Sequence, residues 1–226
     1  MNKEYILKLE QYTISRIIEF GEKYKNENII ETSYINWNAR DVIGHINCWV
    51  DYYKNKLVSI KTNKLFKDIE HNDIEIFNKA NYEKYKIKTL FENINEAKIL
   101  FKDYENVINL YSEDELLSKE FPIEIIDDVY SSSEFSCALW EYIALDLFIH
   151  PINHIFYQYI KNNNYNEFIN EIEKSKNYSN NNIKIYKLSN LFENKEIKEK
   201  HFTALLNIIK NKNNKFIEEI IKINMM

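Results

Sequence analysis

Apolar positions recur every three or four residues along most of the chain, and that period predicts successive amphipathic helices. Ile6, Leu9, Thr13, Ile17, Phe20 and Tyr24 form one stripe, giving a first helix from about Lys3 to Lys25. A polar connection covers Asn26–Tyr34. Asn38 then reads as an N-cap with Asp41 three residues on, opening a second helix that runs to about Leu57. An irregular stretch, Lys61–Asp73, precedes a shorter helical piece with Ile74, Phe77 and Ala80. Leu90, Ile94, Ala97, Phe101, Tyr104 and Ile108 predict a third long helix over Thr89–Leu110. Ser112 and Glu115 are a capping box for one short helix, and Phe121–Ser133 reads as a loop or brief extended segment. A fourth long helix is expected from about Ser133 to Lys161. Pro151 lies inside it and should kink it, since it removes the amide that would bond the Leu147 carbonyl.

Beyond that helix, Asn162–Asn164 and Ser179–Asn182 are polar breaks. An amphipathic pattern returns from about Asn190 to Asn224, through Phe202, Leu205, Leu206, Ile209, Phe216, Ile217, Ile220 and Ile221. The expected architecture is all-α: an up-and-down four-helix bundle over residues 1–162 with a helical C-terminal extension over 163–226. The extension should pack on the bundle or on a partner subunit, because its apolar face is a liability if left in water.

Composition agrees. Two glycines and two prolines in 226 residues disfavour turn-rich β architecture, and 45% hydrophobic residues suffice for a core. Net charge is −5. Residues 161–226 carry 12 lysines against 8 acidic groups, while residues 1–160 carry 18 basic against 27 acidic groups, so the body should repel nucleic acid. Cys48 and Cys137 form no paired motif, which suits a reducing compartment. No secretory h-region and no membrane-length apolar run is present, so a cytoplasmic protein without membrane contact is expected.

The candidate chemistry lies in the histidines. His150 and His154 are four residues apart in an apolar stretch, so a helix aims both imidazoles the same way. His45 sits in the second helix among Val42, Ile46 and Trp49. A His-x-x-x-His pair plus one distant His is the ligand set of an open three-histidine metal site. The competing reading is a pair of satisfied core imidazoles, or a pair on a wet face. Asp146, one turn before His150, is a candidate to orient a ligand imidazole or act as general base, against a plain buried polar residue bonded to a tyrosine. Tyr52, Tyr53 and Tyr142 are candidate substrate-binding groups or simple packing. Cys48 reads as a structural thiol, Trp37 and Trp49 as core anchors, and His71 and His201 as solvent-facing.

These residues carry a resemblance. Trp37, and the run Val42-Ile43-Gly44-His45-Ile46-Asn47-Cys48-Trp49, resemble the second-helix signature of the DinB superfamily, and His150-Pro151-Ile152-Asn153-His154 its fourth-helix His-x-x-x-His. Phe77-Asn78, Asn81 and Ser112–Leu117 are most similar to the ClbS/DfsB branch. The resemblance covers about residues 1–162. It implies a bundle that often dimerises, with His45, His150 and His154 holding a divalent transition metal such as Zn, Ni or Fe. It also implies a small electrophilic substrate, attacked by a low-molecular-weight thiol (an S-transferase) or by water (a hydrolase). The ClbS branch implies instead a metal-independent resistance protein that hydrolyses or sequesters a reactive toxin. A non-catalytic interaction module acting through the C-terminal helix is the third possibility.

Overall fold

Three reciprocal capping boxes set where helices begin. Asn38 accepts the Asp41 amide at 3.1 Å while the Asp41 carboxylate accepts the Asn38 amide. Thr89 with Glu92, and Ser112 with Glu115, repeat the arrangement. Each box satisfies amides that the first helical turn leaves unbonded. Helix ends use asparagine in place of the scarce glycine. Asn63 (φ 51°) and Asn163 (φ 58°) adopt the left-handed conformation. The amides that follow them, of Lys64 and Asn164, reach back to the carbonyls of Ser59 and Tyr159 at 2.9 and 2.7 Å, closing two Schellman-type ends.

The computed structural model describes residues 3–25, 36–118, 138–175 and 195–210. They contain helices α1 (Lys3–Lys23), α2 (Ala39–Lys61), α3 (Ile74–Tyr85), α4 (Leu90–Asn109), α5 (Glu113–Leu117), α6 (Leu139–Ala144), α7 (His150–Lys161), α8 (Tyr165–Ser175) and α9 (Lys195–Lys210). A 3-10 turn, His71–Asp73, precedes α3, and a π-helical segment, Leu145–Ile149, joins α6 to α7. The described residues contain no strand. The fold is all-α, packed as a helical bundle.

Two compact units make up the chain, Met1–Pro151 and Ile152–Met226. In the first, α2 and α1 both pack on α4, and the α6–π run packs on α1 and α2. Ile6, Leu9, Ile17 and Phe20 of α1 meet Val42, Ile43, Ile46 and Val50 of α2, Ile94, Ala97 and Phe101 of α4, and Ile143, Leu147 and Phe148 in an interior closed to water. Burial of this kind contributes roughly 1.5–3 kcal/mol per large apolar side chain. One close approach requires glycine. A Cβ on Gly44 would lie 2.7 Å from the Cβ of Tyr85, drawing α3 tightly onto α2 beside His45, whereas one on Gly21 would meet the movable Cδ1 of Ile94 at 2.4 Å.

Within the second unit, Phe156 meets Phe168 edge-on at 5.4 Å, and Ile169, Ile172, Leu205 and Ile209 are buried. Helix α8 was not expected from the sequence, and α2 runs four residues beyond its expected end. The helical run does continue through Pro151, and the backbone solves that proline with a π turn in which the His150 amide bonds the Leu145 carbonyl. The connection at Asn26–Tyr34, the loop at Phe121–Ser133, the break at Ser179–Asn182, Cys137, the His71 side chain and the last-helix pattern beyond Lys210 lie outside the described residues. Among the described residues no helix is long and apolar enough to cross a membrane.

Candidate metal centre

His45 is the seventh residue of α2 and reaches the site because the Asn38 cap fixes that helix's start and phase. His150 follows the π turn. Their Nε2 atoms stand 3.3 Å apart, and the rings meet edge-on with centroids at 5.3 Å. His154 is one turn further along the same α-helix, so helix geometry fixes its place relative to His150. One donor atom from each of the three lies within 4.8 Å of the others.

The donor set fits a metal. Zinc–imidazole bonds of about 2.0–2.1 Å place neighbouring nitrogens of a tetrahedron about 3.3–3.4 Å apart, which is the His45–His150 separation. Without a metal, one of these imidazoles donates to the other. All three rings are half-buried. Burial pushes His154 down to about 4, so at neutral pH its imidazole is uncharged and keeps a lone pair for coordination. Three neutral imidazoles leave a bound divalent ion its full charge, with positions open to water or substrate.

Aromatic rings wall the histidines. The Trp37 ring lies 4.6 Å from that of His45, and Trp49 lies 6.3 Å from His45 and 6.1 Å from His150. Trp49 stacks on Tyr53 at 5.5 Å and meets Tyr52 and Phe77 edge-on. Tyr53 in turn meets Tyr142 at 5.3 Å. The three tyrosines singled out from the sequence therefore gather behind Trp49. They differ in what they offer. The Tyr52 hydroxyl donates to Asp68 at 2.9 Å and accepts the Ile69 amide at 3.0 Å, which commits it to holding the segment after α2. The Tyr142 hydroxyl is buried with no hydrogen bond among the described residues.

Asp146 is buried beside the Tyr104 phenol, and neither carboxyl oxygen meets an imidazole at hydrogen-bond distance. Burial raises its pKa well above the ordinary carboxylate value, partly offset by Tyr104. Cys48 is buried and its thiol is pushed up to about 12, mainly by burial, which suits packing and not nucleophilic attack. His201 was expected in solvent. It is buried instead, with Nδ1 2.8 Å from the Tyr165 hydroxyl, because α8 and α9 bring Tyr165 against it.

A small recess opens beside His45, lined also by Trp37, Asp41, Asn78, Asn81, Tyr82 and Tyr85. The sequence singled out Asn78 and Asn81 only for the resemblance they carry. Their i, i+3 spacing placed them on one face of α3, but not against His45.

No protein-family model, no curated protein and no solved structure matches the chain.

Proposed function

We propose that the chain is a DinB-like metalloenzyme in which His45, His150 and His154 hold a divalent transition metal and a small electrophile is attacked at the open positions. The convergence of three imidazole nitrogens within 4.8 Å, from helices whose histidines are more than a hundred residues apart, carries this reading. When bound, the metal supplies Lewis acidity that makes water or a low-molecular-weight thiol nucleophilic at neutral pH. The chain's own contribution is placement. The Asn38–Asp41 box and the π turn set the two helices in register. The Trp37 and Trp49 rings limit water around the imidazoles. The recess beside His45 gives a substrate its approach. Imidazole donors suit Zn, Ni and Fe, which are the metals of this proposal.

The test is a conjugation and hydrolysis assay with glutathione or cysteine and small epoxides or activated aryl halides, run with metal, with chelator, and with metal restored. Activity lost to chelator and regained with Zn or Ni supports the proposal. Activity that survives chelation supports a second reading, a metal-independent hydrolase or sequestering protein for a reactive toxin. The cluster of Trp49, Tyr52, Tyr53, Phe77 and Tyr142 favours that reading, because stacked rings with one unbonded phenol can hold a planar electrophile without a metal.

A further inference from the structure

The recess beside His45 has a hydrogen-bonding polarity that its neighbours determine. Asn78 accepts the Trp49 indole N–H through Oδ1 at 3.0 Å. An indole nitrogen only donates, so the atom facing it is the oxygen, and the Asn78 NH₂ group is left as a donor. Asn81 donates through Nδ2 to the Phe77 carbonyl at 2.8 Å. A backbone carbonyl only accepts, so the Asn81 carbonyl oxygen is left as an acceptor. The two carboxamides are three residues apart on α3, hence side by side on one face, and both line the recess. Neither forms another hydrogen bond among the described residues.

Charge is cancelled there. The one acidic side chain in the lining, Asp41, accepts from Arg40 at 2.8 and 2.9 Å and from the Asn38 amide. From α3, Asn78 and Asn81 offer one donor beside one acceptor, in a lining shared with Trp37, His45, Tyr82 and Tyr85.

We propose that this recess recognises the amide edge of a neutral ligand, the Asn78 NH₂ group donating to the ligand carbonyl and the Asn81 oxygen accepting the ligand N–H. Primary amides, lactams and ureas present that edge, whereas ketones lack the donor and carboxylates carry a charge that the recess does not balance. As a statement about substrate, this rests on the metal chemistry proposed above. As a statement about binding, it stands on Asn78 and Asn81 alone.

The probes are acetamide, acetone and acetate, which share a shape and differ in the group that matters. The full chain is titrated with each, free of metal and with one equivalent of zinc, following the side-chain amide of Asn78 and the indole N–H of Trp49 by NMR. Acetamide should bind at least about tenfold more tightly to the metal-free protein than either comparator, the worth of one neutral hydrogen bond or more. Asn78→Asp keeps the oxygen that takes the Trp49 proton and removes the donor. Asn81→Leu removes the acceptor. Each should weaken acetamide by about tenfold. Equal binding of acetone, undiminished binding by both variants, or no acetamide binding in either form overturns the inference. Metal content of the same samples separates the two proposals. Acetamide binding without metal uptake leaves this one standing and removes the metal chemistry, and the reverse result does the opposite.

Discussion

Glu10 is buried in α1, and its carboxyl is raised to about 7, first by burial and then by Glu105, with Lys102 opposing. In the unfolded chain the group titrates near 4.5. The folded protein therefore holds a proton that the unfolded chain releases, and stability falls as pH rises from about 4.5 to about 7. Glu10→Gln should remove that slope and raise stability at pH 8 by about 1–3 kcal/mol, read from urea melts at pH 5 and pH 8. A variant with an unchanged slope would contradict this account of Glu10. Beside the site, Gly44→Ala forces a methyl group against Tyr85, and a loss of about 1–3 kcal/mol is expected in thermal melts. A variant as stable as the parent would mean that α3 yields freely. At this scale the sequence showed the histidines, because i, i+4 spacing speaks for itself. It could not show that Asp146 lies near Tyr104, forty-two residues away on another helix, nor that Asn78 faces Trp49. Such pairings belong to packing and leave no trace in local periodicity.

Among elements, the long helices α1, α2 and α4 were legible from their apolar stripes, with the Asn38–Asp41 capping box agreeing at the start of α2. Helix α8 was not, since its buried Phe168, Ile169 and Ile172 occupy barely one turn between polar neighbours. The π segment was also hidden: Pro151 announces a disturbance, but not the choice between a kink and a widened turn. That choice has consequences for the site. The π turn absorbs one extra residue between the face carrying Tyr142 and the face carrying His150. Deleting Leu145 should return the run to α-helix and leave the two faces close to their present register. Metal affinity should then be kept to within about threefold with helical content by circular dichroism nearly unchanged, and a loss of about tenfold or more would contradict this account of the π turn. The asparagine helix ends predict a smaller effect. Asn163→Val, a β-branched residue in left-handed backbone, should cost about 1–2 kcal/mol, whereas Asn163→Gly should be neutral or mildly stabilising. Equal melting temperatures for the two would contradict the cap assignment.

For the whole molecule, the claim that organises the others is that a folded helical chain presents three imidazoles to one ion. Binding to the folded state alone stabilises it, by about 2.7 kcal/mol at a hundredfold excess over Kd. Zinc or nickel should therefore raise the melting temperature of the parent protein and leave a His45→Ala/His150→Ala variant where it was. The most direct measurement is elemental analysis of the protein, purified without a histidine-rich tag, beside that double variant. The account predicts about one equivalent of a transition metal in the parent, or its uptake from added Zn or Ni, and its loss in the variant. No metal in either, even after incubation with Zn or Ni, would contradict it, and the 3.3 Å His45–His150 contact would then stand as a hydrogen bond between two packed imidazoles.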